Sequence, residues 1–312
     1  MMLLISICFS KFSDYCIKLN HVKHSPLKSV LIHLRFPFSL MLLPVYLFAI
    51  SGIHDINVYH TLVVFIVLHL LIYPASNGYN SYFDKDEGSI ALVKTPPKIN
   101  RSLYLAAIAL EWLGVLLSAS VNLHFAIGVL MYIILSRAYS HPKTRLKKYP
   151  IISFLVVFIF QGGFIYLLTF YACSNHFDGF TNQNYWAALI SSCLIGASYP
   201  LTQIYQHEED RKRGDQTLSI LLGMKGSFLF SGLVFSIGFS LMFFYWFALN
   251  QLFYFFVFVA LSLPILLYFT WWYFQVFKDK QQANFKNAMR MTILSSAFML
   301  IYFCWVVLMK FY

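Results

Sequence analysis

The apolar residues of this chain fall into long runs broken by short polar connections. Nine runs approach or exceed the roughly 20 residues a helix needs to cross a bilayer. They cover about residues 29–52, 58–80, 101–119, 122–139, 151–172, 184–206, 226–249, 251–277 and 290–311. Trp and Tyr gather at many of the run ends, where interfacial anchors belong. The pattern predicts an all-α polytopic membrane protein, with nine transmembrane helices forming one domain over 29–312. Residues 1–28 precede it, mixing a short apolar stretch, Met1 to Phe9, with Lys11, Lys18, Lys23 and Lys28. That stretch is too short to span and lacks a small-residue cleavage site. It reads as an amphipathic lead-in on the membrane surface, not a signal peptide.

The polar connections alternate in charge. Lys and Arg crowd the amino-terminal segment and the stretches 85–101, 137–148, 211–225 and 278–290, while 53–57, 120–121, 173–183 and the turn at Asn250 contain none. Basic connections mark the cytoplasmic side. The amino terminus and the basic loops are therefore expected in the cytoplasm, with Tyr312 on the opposite face. Composition agrees: 59% of residues are hydrophobic and 11% charged, against about 25% charged in a soluble domain. The net charge of +11 follows from the basic loops beside an anionic leaflet, and no soluble basic domain is present to bind nucleic acid. The five cysteines are scattered with no CxxC pair, which argues against a disulfide frame or a zinc site.

Most of the acids stand in two clusters, Asp84–Asp86–Glu87 and Glu208–Glu209–Asp210 with Asp215, each where an even-numbered run ends. Around them lies an internal repeat. Tyr73 to Gly88, YPASNGYNSYFDKDEG, returns as Tyr199 to Gly214, YPLTQIYQHEEDRKRG, with Tyr, Pro, Tyr, Asp and Gly identical at matching positions. Asn80 faces Gln206, so each copy places an amide four residues before its acid, on one helical face. Hard oxygen donors of this kind suit Mg²⁺, which binds through one or two carboxylates plus substrate phosphates. Asp84 and Asp210 form the core of the predicted metal clamp, with Asn80, Asp86, Gln206 and Glu209 as further metal candidates. An acid at the end of an apolar run is costly and usually functional. Glu87, Glu208 and Asp215 read instead as acids that solvate a loop. Glu111, inside the third run, is either a second functional acid or one paired within the bundle.

A third polar feature is Tyr139 to Lys148, YSHPKTRLKK, where a helix ends at Ser140–His141–Pro142. Arg145 can grip phosphate oxygens with two donors and Lys147 adds a point charge; Lys143, four residues after Tyr139, is a weaker diphosphate candidate. The 33 Phe, 21 Tyr and 6 Trp supply an apolar lining whose ring faces stabilise a passing cation.

Three motifs now resemble the UbiA superfamily of intramembrane prenyltransferases. Asn80-x-x-x-Asp84 is similar to the first half of the family's NxxxDxxxD motif, Asp210-x-x-x-Gly214-x-x-Thr217 to its second motif, and YSHPKTRLKKYP to its YSxPxxRLK loop; Arg35 and Pro37 echo a further feature. The resemblance covers about residues 29–311. It implies nine helices around a central cavity open to lipid, Mg²⁺ held with a prenyl diphosphate, and transfer of the prenyl group to a lipophilic, often aromatic, acceptor. It also implies that Asp84 and Asp210 bind metal while Arg145 and Lys147 neutralise the departing diphosphate. Two positions depart from the family pattern: Gly88 stands where an acid is expected and Gln206 where an Asp is expected, with Asp86, Glu87 and Glu209 nearby as substitutes. These departures motivate an alternative, a non-catalytic relative that binds lipid or acts as a scaffold. A transporter is a weaker alternative, because the repeats point the same way and their polar groups lie at helix ends and not at the midplane.

Overall fold

The computed structural model describes residues 25–85 and 88–311. Most of the expected surface segment and Asp86 lie outside the described residues, as does Glu87. Nine long helical segments follow one another: α1 (Pro26–Ser51), α2 (Val58–Asp84), α3 (Arg101–Ala119), α4 (Leu123–Ser140), α5 (Pro150–Cys173), α6 (Asn182–Gln203), α7 (Leu218–Ala248), α8 (Leu252–Lys278) and α9 (Phe285–Phe311). They match the nine apolar runs one for one, though α7 and α9 begin well before the runs expected from 226 and 290, at Leu218 and Phe285. All but α6 are long and apolar enough to cross a membrane by length and hydropathy. At 22 residues, or about 33 Å, α6 is long enough as well. Its lower hydropathy reflects its place at the centre of the bundle, where it buries Ser191, Ser192 and Gln203 among neighbouring helices and not against lipid.

Four of the helices depart from regular geometry: α1, α2 and α5 at local turns or contacts, and α7 at Gly223, whose φ of 68° and ψ of 173° are non-helical. In α1, Arg35 adopts a left-handed conformation (φ 49°), and Phe36–Pro37 starts a new turn from it. In α2, residues Ile66–Ile72 form a π segment. It is fastened to α1 by a reciprocal pair of bonds: the Ser39 hydroxyl donates to the His69 carbonyl (2.8 Å), and His69 Nδ1 lies 3.0 Å from the Ser39 carbonyl. A carbonyl only accepts, so His69 carries its proton on Nδ1. In α5, Val157–Phe164 is a second π segment. There the Gly163 N–H leaves the helix ladder for the Ser192 hydroxyl of α6, at 2.8 Å. Gly162 has to be glycine, since a Cβ there would overlap the α6 backbone at Ser192.

The largest enclosed side chains of the interior are aromatic, with Phe48, Tyr166, Phe228, Phe258, Trp272, Tyr302 and Phe303 almost wholly buried. Two cavities interrupt it. One is polar and lies at the end of the bundle that carries the sequence motifs; the other is apolar and lies on the far side of α6.

Candidate functional site

Both copies of the repeat open onto the polar cavity, of about 260 Å³, together with Lys147 from the loop after α4. α2 delivers Asn80 and Asp84 on its last turn and ends there. Lys85 turns left-handed (φ 51°) and its N–H bonds to the Ser81 carbonyl, so the helix stops at Asp84, short of Gly88. The second copy is built differently. α6 stops at Gln203, and a new short helix, His207–Lys212, starts with Gln206 at its N-cap. The four-residue spacing survives, because the Asp210 N–H bonds to the Gln206 carbonyl at 2.9 Å. Gly214 closes that helix in a left-handed conformation (φ 74°).

A compact charge network fills the cavity floor. Arg145 grips Asp215 with two parallel bonds, Nε–Oδ1 at 2.7 Å and Nη2–Oδ2 at 2.8 Å. Its Nη1 reaches Asp84 Oδ1 at 3.5 Å. Lys147 pairs with the other oxygen of Asp84 and stands 3.7 Å from Asp215 Oδ2. The Asp215 hydrogen bond strengthens the hold of Arg145 on its proton. Asp210 is 7% exposed, yet its Oδ2 has no hydrogen-bond partner. Burial raises its pKa from the ordinary 3.8 to about 6, further than the attraction of Lys147 can pull it back, and the nearby Asp215 adds to the rise. The Thr217 hydroxyl, also on the cavity wall, is likewise buried without a partner.

Asp215, read from sequence as loop solvation, is instead the most buried acid of the group, at 3% exposure. The local charge run gave no sign of this, because its partner Arg145 comes from a different loop 70 residues away. Glu208 is exposed as expected. Lys143 is exposed and does not line the cavity, because the turn after His141–Pro142 carries it outward. Glu111 is the paired acid of the two alternatives: it bonds to Arg137 Nε at 3.1 Å and to Nη2, joining α3 to α4, and lines neither cavity.

The remaining metal candidates are partly engaged. Asn80 donates through Nδ2 to the Ser140 hydroxyl (3.0 Å) and Gln206 through Nε2 to the Ser89 carbonyl (3.0 Å), and each amide keeps its carbonyl oxygen as a possible ligand atom. Glu209 lies 3.7 Å from Arg213. Its carboxylate occupies the space a side chain at position 88 would need, so a larger residue there would have to push Glu209 aside, and the acid absent from 88 is replaced in that space by Glu209. Above the floor, the Tyr139 and Tyr199 hydroxyls meet at 2.8 Å, and Phe38, Tyr132, Phe160 and Gln161 complete the wall. Sequence reasoning named neither this tyrosine pair nor Gln161, which reaches the cavity from the π segment of α5. Ile90 and Ala91, in the loop after α2, close one side. Leu92 anchors that loop through its N–H to Met289 Sδ of α9, at 3.2 Å.

Among the described residues, no three acidic, His or Cys side chains converge as a ready-made metal cage. The donor set nevertheless fits Mg²⁺, which takes one or two carboxylates and leaves its other positions to water and phosphate. The unpartnered oxygens of Asp210 and Thr217 mark where such ligands would be satisfied.

A profile described as the UbiA prenyltransferase family matches residues 38–296. The chain belongs to this family. Solved structures of UbiA homologues share its fold at low sequence identity. One, a UbiA homologue from Archaeoglobus fulgidus bound to GPP and Mg²⁺, has a TM-score of 0.62 at 19% identity, covering 89% of this chain and 99% of the homologue. The same homologue bound to DMAPP and Mg²⁺ gives 0.63 at 18%, with the same coverage. A structure reported for digeranylgeranylglyceryl phosphate synthase gives 0.59 at 20%, covering 91% of this chain and 98% of that one. No curated protein sequence matches the chain.

Proposed function

We propose that this UbiA-family protein is a Mg²⁺-dependent intramembrane prenyltransferase, moving a prenyl group from a prenyl diphosphate to an aromatic or other lipophilic acceptor. The observation that carries the reading is the meeting of Asp84, Asp210, Asp215 and Lys147 in one cavity walled by aromatic rings, with Arg145 paired to Asp84 and Asp215 behind them. The Archaeoglobus fulgidus homologue, which binds GPP or DMAPP together with Mg²⁺, supports the choice of ligands. Positive-inside logic puts the motif-bearing end at the cytoplasmic face and the carboxyl terminus on the other.

Bound Mg²⁺ would supply Lewis-acid charge at the diphosphate oxygens. Asp84 and Asp210 would hold it, with the carbonyl oxygens of Asn80 and Gln206 and the carboxylate of Glu209 in support. Arg145, whose Nε–Nη2 edge is held by Asp215, keeps its Nη1 side toward the acids, and Lys147 adds a compact point charge. Both are already fixed in place by Asp84 and Asp215, so they meet the developing diphosphate charge with little reorganisation. Tyr132, Tyr139, Phe160 and Tyr199 offer ring faces to an allylic cation and keep water away from it. Lys143 joins this reading only as a peripheral charge at the rim.

The test is direct. Purified protein with Mg²⁺, a panel of prenyl diphosphates and a panel of lipophilic acceptors should yield prenylated product by mass spectrometry. Asp84→Ala and Asp210→Ala should each abolish it while the protein still folds. Full activity in both variants would sink the clamp.

A further inference from the structure

The apolar cavity, about 470 Å³, is walled by α1, α6, α7, α8 and α9. It shares no lining residue with the polar cavity: Tyr199, Thr202 and Gln203 of α6 face one, Ser198 and Leu201 the other. None of its described lining residues is charged. An ionised head group would be stripped of water there with nothing to compensate it. The wall is not purely hydrocarbon, however. Ser231 of α7, 2% exposed, contributes a hydroxyl that is buried without a hydrogen-bond partner, where most serines in these helices bond back to a carbonyl one turn earlier. A buried hydroxyl left unpaired is destabilising, and a ligand oxygen would satisfy it.

The cavity also has a mouth on the lipid side, between α7 and α8. Leu229 and Leu266 line it while 65% and 37% exposed. Beside them stand Gly232, where a Cβ would only graze the Phe269 ring at 3.8 Å, and the exposed Ser236 and Thr270. An apolar chamber entered from the bilayer, with hydroxyls at the mouth and one unpaired hydroxyl inside, selects a long apolar molecule carrying a single uncharged hydroxyl. We propose that this cavity is a second lipid site, separate from the diphosphate cavity, that takes a neutral lipid alcohol.

The full chain in lipid nanodiscs can be photolabelled with three alkyne-tagged diazirine probes: a sterol, a linear isoprenoid alcohol, and the same isoprenoid chain as a hydrocarbon. The expected result is saturable labelling of α7 and α8 peptides by at least one alcohol. The unlabelled alcohol should compete, and geranyl diphosphate with Mg²⁺ should not. The sterol and linear arms tell a ring system from a chain. Ser231→Ala should weaken the apparent affinity about fivefold, the equivalent of one neutral hydrogen bond. Gly232→Trp should block the mouth and abolish labelling while Mg²⁺ binding at the acid site survives, which shows that the variant is folded. The proposal falls if the hydrocarbon labels as strongly as the alcohols, if geranyl diphosphate competes, or if no probe reaches α7 and α8. Should Gly232→Trp fail to fold, Ser231→Ala and the competition arms still decide.

Discussion

The two copies of the repeat are alike in sequence and unlike in structure. In the first, α2 runs unbroken to Asp84, and the acid is met by two cations, Arg145 and Lys147. In the second, the chain breaks between α6 and a short helix, and Asp210 presents a buried oxygen with no hydrogen-bond partner. The first tyrosine of each copy is buried. The second tyrosines diverge: Tyr79 joins a ring cluster with Phe83 and Tyr104, whereas Tyr205 packs on Phe285 and lines the cavity. Even the matched glycines differ in purpose, since Gly214 supplies a positive φ and Gly88 makes room for Glu209. The two acids are therefore not equivalent halves of a clamp: one is neutralised by the protein, the other is left for a ligand.

That asymmetry can be broken experimentally. The largest expected effect is from Asp210→Asn, which should lower Mg²⁺ affinity by more than the roughly 10–100-fold typical of losing an outer-shell partner while leaving the melting temperature unchanged or raised. Asp84→Asn should lower both affinity and melting temperature, because Lys147 and Arg145 lose a partner. Equal behaviour of the two variants in calorimetry and thermal melts would erase the distinction. Next comes Asp215→Ala, which strips Arg145 of its bidentate partner inside the protein and should cost about 3 kcal/mol of stability, read by denaturation in detergent. The pH dependence is of intermediate size. Asp210 binds a proton below about pH 6 because burial opposes its charge, so a metal must displace that proton. Mg²⁺ affinity should be flat above this value and fall about tenfold per pH unit below it, and Asp210→Asn should remove the dependence. The smallest effect belongs to Glu209→Ala, a few-fold loss of Mg²⁺ affinity seen by titration. Gly88→Ala should mimic it, by pushing the Glu209 carboxylate aside.

The fold was legible because lipid demands apolar runs of fixed length, and nine such runs leave little freedom. α6 shows the limit of that signal: its low hydropathy belongs to a helix that other helices, and not lipid, surround. Within the site, Asp84, Asp210, Arg145 and Lys147 could be found because acids and short basic clusters at span ends stand out from their neighbours. Asp215 could not, since its neighbours Arg211, Lys212 and Arg213 suggest an ordinary charged loop and its burial depends on a residue far away in sequence. The Tyr139–Tyr199 contact was hidden for a related reason. In a chain with 21 tyrosines, only tertiary packing singles out two of them. The break between Gln203 and His207 was also unreadable, because the repeat suggested a continuous helix by analogy with α2.

The π segment of α2 bears on how such a site tolerates change. Each residue of a regular helix turns the next by about 100°, and residues Ile66–Ile72 absorb more chain than regular turns would. Everything after them, Asn80 and Asp84 included, takes its angular setting from that surplus. Closing this segment into a uniform helix at unchanged length would leave the downstream chemistry intact in sequence but rotated about a quarter-turn off the cavity, whereas deleting one residue between 66 and 72 would remove the surplus and keep the aim. The stretch that sets the aim of the first acid thus contains no polar residue except His69, and a substitution that regularised it would read as a loss of function with no functional residue touched.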